Sequence, residues 1–105
     1  MHQVWIPRYG PPEVLELREA PTPHPAPGEV LIKVAAAGIN FADIMARIGL
    51  YPDAPKPPCV VGYEVAGEVA EVGTSSVGFK TGDKVIALTR FGGYTSHVAD
   101  RKSVV

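Results

Sequence analysis

A mainly β fold, a barrel or sandwich carrying one short helix, is what this sequence predicts, and three observations predict it. Eleven prolines and eleven glycines divide the 105 residues into short pieces, the punctuation of an all-β domain with many turns. Strand-length runs rich in valine, isoleucine and leucine fall between those breaks. One segment alone, 40–48, spaces its apolar residues as a helix does.

Taken in chain order, strands are expected at 3–6, 14–19, 29–36, 64–72, 84–88 and 94–98, with a further one beginning at 103–105. The first three are separated by Tyr9-Gly10-Pro11-Pro12 and by the proline-rich stretch 21–28. There proline fixes φ and removes ladder donors, so both stretches are loops rather than domain linkers. The helical segment has Phe41, Ile44, Met45 and Ile48 on one face. Asn40 precedes it as a good N-cap, Asp43 stands in the favourable first turn, and Gly49 can stop it. A lone short helix among strands is expected to plug one end of the barrel or sandwich. The PDAPKPP stretch, 52–58, reads as a stiff extended loop, and Gly92-Gly93 as a hairpin turn into Tyr94.

The bulk numbers bound the function. A chain of 105 residues supports one domain. With 46% hydrophobic and 20% charged residues it belongs to neither the disordered nor the membrane class. Ten Lys and Arg against eleven Asp and Glu, without runs, leave a net charge of -1 and no basic stripe, which argues against nucleic acid. No stretch has the length of a membrane span and no targeting signal is visible. Cys59 is the only cysteine, so neither an intramolecular disulfide nor a cysteine-rich zinc lobe is available, and a cytoplasmic address is expected. His2, His24 and His97 are scattered with no second ligand at metal spacing.

The run Val61-Gly62-Tyr63-Glu64-Val65-Ala66-Gly67-Glu68-Val69 places a carboxylate among small apolar residues. Such burial costs several kcal/mol unless the group is ion-paired or multiply hydrogen-bonded, so Glu64 is expected to have a structural role and a partner, an arginine or a set of backbone amides. Gly62, Gly67 and Gly73 are expected to serve tight turns and close strand approach, with no phosphate to cradle at that spacing.

Three blocks, AAGINFADIMARIGLYP, PPCVVGYEVAGEVAEVG and GDKVIALTRFGGYTSHV, occur in fixed order over nearly the whole chain. Together they resemble the N-terminal, GroES-like domain of medium-chain dehydrogenase/reductases, most closely the zinc-independent quinone oxidoreductase branch. The resemblance implies a partly open, mainly β barrel with one or two short helices over 1–105. In the zinc-dependent alcohol dehydrogenases the places matching Asn40 and Tyr63 hold a Cys and a His that bind catalytic zinc. A carboxamide and a phenol replace them here, so no zinc and no other metal are expected. The implied chemistry is hydride transfer from NADPH to a quinone or enone.

By the same resemblance Asn40 is a catalytic and cofactor-binding residue near the nicotinamide, a role that competes with N-capping, and Tyr51 is a catalytic residue bordering the substrate cleft. Met45 stands where several quinone oxidoreductases carry tyrosine; it is expected either to widen the cleft or to fill core. Tyr63 either lines the cleft or packs inside the barrel. No glycine-rich phosphate loop opens a helix, so the nucleotide-binding Rossmann domain is absent from this chain. NADPH is expected for a full-length enzyme, while this chain, as a fragment, is expected to bind no cofactor and to be inactive. The alternative is a self-standing GroES-like module that binds a partner or assembles with itself; the vesicle-associated branch of the family also resembles the NFADIMAR and GLY blocks. Self-association, as a homodimer, is expected through the 40–51 region.

Overall fold

The computed structural model describes residues 1–75 and 78–100. Six strands and one α-helix follow one another as β1 His2–Trp5, β2 Glu16–Glu19, β3 Val30–Ala37, α1 Phe41–Ile48, β4 Glu64–Val72, β5 Lys84–Leu88 and β6 His97–Asp100, with a 3₁₀ turn at Pro12–Val14. A four-stranded antiparallel sheet runs β5-β4-β3-β6, and β1 and β2 form a separate two-stranded ribbon. The sheets do not close on each other. The ribbon is tied to the rest by two isolated bridges, Gln3 to Thr95 and Ile6 to Cys59.

The central pair β3 and β4 carries the core. Val30, Ile32, Val65, Val69, Val85 and Ala87 form one buried cluster. The spacing 65, 69 and 85, 87 shows the even periodicity of strands that offer one face inward. Full burial of each Val or Ile contributes about 1.5–3 kcal/mol. Register shifts between Leu31 and Ile32 and between Val34 and Ala36 bend β3 against β4. At the second shift the backbones come so close that a Cβ on Gly67 would lie 2.9 Å from the Lys33 carbonyl carbon. A side chain at residue 67 would push β3 and β4 apart. A second cluster, Ile6, Ala46, Cys59 and Val61, lies under α1 and is covered by Tyr51, Phe91 and Tyr94.

Several expectations are corrected. The strand expected at 14–19 begins two residues later, because Val14 and Leu15 donate back to the Pro11 and Pro12 carbonyls and close a turn. The strand expected at 94–98 begins at His97. Residues 94 and 95 instead face other partners: Tyr94 N–H donates to the Val61 carbonyl at 3.0 Å, and Thr95 bridges Gln3. Gly92-Gly93 is not a hairpin turn, since β5 and β6 are the opposite edges of the four-stranded sheet. The strand start expected at 103–105 lies outside the described residues.

The helix differs most from its pattern. Its apolar stripe does not point into the core: Phe41 is 73% exposed, and Ile44 and Ile48 are both exposed, while the buried helical residues are Asp43 and Ala46. A small alanine allows close approach to Ile6, Cys59 and Val61. No helix among the described residues is long and apolar enough to cross a membrane.

Candidate active site

The site grows from the junction where β3 hands over to α1. Asn40 occupies the N-cap position with extended φ and ψ of -116° and 155°, and Asp43 stands three residues on in a capping-box arrangement. The strong half of that box is Asp43's: its Oδ2 accepts the Asn40 N–H at 3.0 Å. The side-chain amide of Asn40 turns the other way, and Nδ2 donates to Glu64 Oε1 at 3.4 Å. Both residues take part in the capping box, and the Asn40 carboxamide reaches Glu64 besides.

This contact also supplies Glu64 with its partner, which is neither an arginine nor a set of main-chain amides. Glu64 is the first residue of β4 and only half-buried, so a single carboxamide and solvent meet its needs. Its side chain lies over Gly38, where an added Cβ would come within 2.7 Å of the carboxyl carbon. Gly38 N–H donates to the Glu64 carbonyl at 3.1 Å. Only glycine lets the carboxylate reach Asn40 across β3.

A second backbone contact brings in the aromatic residues. Gly62 has φ 118°, and a Cβ there would meet the Tyr94 nitrogen at 2.8 Å and the Gly93 Cα at 2.9 Å. Gly93 N–H and the Thr89 hydroxyl both donate to the Gly62 carbonyl, at 3.1 and 2.8 Å. The segment carrying Tyr63 is therefore pinned on the segment carrying Tyr94. Tyr94 in turn donates its hydroxyl to Asp43 Oδ2 at 2.6 Å.

Tyr63 packs edge-on to Tyr51, with ring centroids 6.4 Å apart, and tilted against Phe91 at 5.5 Å. The Arg90 guanidinium stacks over Phe91 at 5.8 Å. Tyr51, Tyr63 and Phe91 so form a half-buried aromatic row, joined to the Asn40–Glu64 pair along the chain from Tyr63 to Glu64. Met45 is half-buried on the same helix. Phe91 and Tyr94 were missed by sequence reasoning; the bulky residue directly before Gly92-Gly93 and the tyrosine directly after it were the available signal.

Electrostatics keep both inner phenols protonated. Burial, followed by the Tyr51 hydroxyl and the charges of Asp43 and Asp53, pushes Tyr63 up to about 12. Burial and the hydrogen bond to Asp43 push Tyr94 well above the ordinary tyrosine range. Tyr63 Oη is buried and has no hydrogen-bond partner of good geometry among the described residues. It stands as a neutral hydroxyl with a proton to offer. Among the described residues no three of His, Cys, Asp and Glu cluster to hold a metal ion. The donors at the two places discussed above, Asn40 and Tyr63, are poor zinc ligands by their chemistry.

The description "alcohol dehydrogenase GroES-like domain" matches residues 26–103. The chain belongs to that family. Within the medium-chain dehydrogenase/reductases it falls in the quinone oxidoreductase branch. It is 44% identical over 99 residues to a quinone oxidoreductase of Pseudomonas aeruginosa, a match covering 92% of this chain and 30% of that protein. It is 48% identical over 73 residues to an acryloyl-coenzyme A reductase of Metallosphaera sedula, 70% of this chain and 22% of that one.

Two solved structures extend the comparison. Superposition on a human synaptic vesicle membrane protein VAT-1 homolog-like protein gives a TM-score of 0.93 at 33% identity, covering 100% of this chain and 35% of that one. An Escherichia coli quinone oxidoreductase complexed with NADPH gives 0.86 at 36%, covering 94% and 30%. The mainly β, partly open GroES-like architecture is thereby established. The chain spans about a third or less of the length of these relatives.

The raised tyrosines make a pH prediction. A phenol whose folded value is near 12 rather than the ordinary 10 holds its proton in the native chain after the unfolded chain has released it. Stability is therefore complete below about pH 10 and falls as pH rises from there toward 12. Ultraviolet titration of the four tyrosines should show Tyr63 and Tyr94 ionising late, with Tyr63→Phe removing one late step. All four ionising together near pH 10 in the folded chain would contradict it.

Proposed function

We propose that this chain is the substrate-side domain of an NADPH-dependent quinone or enone oxidoreductase and is inactive alone. The observation that carries the reading is the Asn40 carboxamide at the junction of β3 and α1, whose Nδ2 donates to the Glu64 carboxylate while Asp43 Oδ2 accepts the Asn40 main-chain N–H. When bound by a nucleotide-binding Rossmann domain, NADPH supplies the hydride. What this chain supplies is orientation and polarisation. Asn40 acts as the catalytic and cofactor-contacting residue, donating to a developing oxyanion or orienting the nicotinamide. Tyr51 is a catalytic residue that hydrogen-bonds the substrate carbonyl, and Met45 and Tyr63 line the cleft, with Tyr63 held neutral as a donor.

The names of the relatives support quinones and an acryloyl thioester as the substrate class, and a structure with NADPH supports that cofactor. In this reading Glu64, Gly62 and Gly67 are structural. The reaction proceeds without zinc, nucleic acid is no partner, and the protein works in the cytoplasm.

A second reading, a GroES-like module that assembles with itself, is favoured by one feature. Ile39, Phe41 and Leu50 are 79%, 73% and 63% exposed at and around α1. Apolar side chains so exposed on one segment favour association, and a two-fold dimer covers such a surface with itself. Sedimentation of the chain at micromolar concentration is expected to show a dimer; a single 11.1 kDa species would refute it.

The catalytic reading is tested by a chimera in which this chain replaces the matching segment of the Escherichia coli enzyme. The chimera is expected to bind NADPH and reduce a quinone, and Asn40→Ala to lower kcat/KM by roughly a hundredfold. A folded chimera that binds NADPH but reduces neither quinones nor enones, or an Asn40→Ala variant of full rate, would contradict the assignment.

A further inference from the structure

Where the chain leaves β1 it runs beside the proline-rich loop that precedes β4, and between the two lies a groove of about 490 Å³, within the size range of small-molecule sites. Its walls are Pro7, Arg8, Tyr9, Lys56 and Pro57. None of the residues of the candidate active site lines it, Asp43 and Tyr94 included.

Both walls are fixed in place. Ile6 and Cys59 exchange main-chain hydrogen bonds at 2.8 and 3.1 Å, which sets Arg8 and Lys56 on facing segments. On the first segment Gly10 N–H donates to the Arg47 carbonyl at 3.0 Å, and the Tyr9 ring lies over Gly49, where an added Cβ would lie 3.3 Å from it. On the second, prolines at 55, 57 and 58 fix φ on either side of Lys56. Such a frame has little backbone freedom left to lose when a ligand arrives.

What the frame presents is positive charge. Arg8 and Lys56 are both exposed and enter no ion pair among the described residues, and no acidic side chain lines the groove. Tyr9, half exposed, adds a phenol that can donate. Two uncompensated cations repel a third, and a carboxylate answers only one of them. A phosphate monoester, dianionic near neutral pH, answers both: the planar guanidinium takes two of its oxygens side by side, and the ammonium meets the third as a point charge. The proline rings offer the organic part of the ester an apolar surface. A single pair of cations is too little for nucleic acid, whose binding needs a stripe of them.

We propose that this groove binds a small organic phosphate monoester, its phosphate held between Arg8 and Lys56 and its organic body lying against Pro7 and Pro57. The site follows from the groove and its two cations and does not depend on the reductase reading.

Phenyl phosphate is the probe, followed by amide chemical shifts of the chain. It is expected to move the Arg8, Tyr9 and Lys56 amides saturably. Phenyl sulfate, of similar shape with one charge fewer, should bind at least about threefold more weakly, and Arg8→Gln or Lys56→Gln should each weaken phenyl phosphate by about tenfold. Inorganic phosphate, which lacks the apolar body, should bind several-fold more weakly than the ester. Arg18→Gln, which removes a cation stacked on Trp5 in the β1–β2 ribbon, should leave the affinity unchanged. No saturable shifts at these amides, or phenyl sulfate or inorganic phosphate binding as tightly as phenyl phosphate, would overturn the proposal. So would an Arg8→Gln chain of full affinity, or Arg18→Gln weakening binding as much as Arg8→Gln, which would mean attraction to net charge alone.

Discussion

The buried carboxylate of Asp43 is the contact on which the arrangement of the site depends. One oxygen, Oδ2, closes the first turn of α1 through the Asn40 N–H at 3.0 Å and holds the Tyr94 hydroxyl at 2.6 Å, a length typical of a charge-assisted hydrogen bond. Burial of a carboxylate is unfavourable by several kcal/mol without such partners, and the positive end of the helix adds to them. Asp43 Oδ2 fixes the Asn40 main chain, and the Asn40 carboxamide extends from that fixed point to Glu64. Because Asp43 takes the Tyr94 hydroxyl, the loop before β6 is fastened to α1 by a hydrogen bond as well as by packing.

Two glycine contacts make that geometry possible from the strand side. Gly38 leaves space for the Glu64 side chain, and Gly62 lets the chain at 60–62 lie directly on 92–94. At Gly62 any side chain would push apart the two segments that the site joins, and at Gly38 it would displace the Glu64 side chain. The aromatic row of Tyr51, Tyr63 and Phe91 is a consequence: residue 63 follows the pinned Gly62, and residue 91 precedes the pinned Gly92-Gly93 pair. The described strands are all antiparallel and offer no βαβ unit for a dinucleotide.

Much of this was legible before the structure. β4 and β5 match their expected bounds of 64–72 and 84–88, since alternating valine between glycines leaves little choice, and the N-cap at Asn40 and the left-handed stop at Gly49 follow from local chemistry. The helix face was not legible in the same way. Phe41, Ile44 and Ile48 have the spacing of a buried stripe, yet tertiary packing gives the inner side to Asp43 and Ala46, which the pattern treats as polar or neutral. Gly92-Gly93 read as a hairpin because turn chemistry is local, whereas its partner, Gly62, is thirty positions away in sequence. For the same reason Glu64 was expected to need an arginine or a set of backbone amides, when a strand-to-helix junction twenty-four residues earlier brings a carboxamide to it. Long-range pairs of this kind are set by topology, and single residues do not announce them.

The most direct measurement is a double-mutant cycle between Asp43 and Tyr94, using Asp43→Asn and Tyr94→Phe with stability read by urea unfolding. If the carboxylate–phenol hydrogen bond fastens the site as described, the two changes couple by about 1.5–3 kcal/mol. Additive effects, with coupling below about 0.5 kcal/mol, would contradict the account and leave α1 and the Tyr94 loop as independent parts.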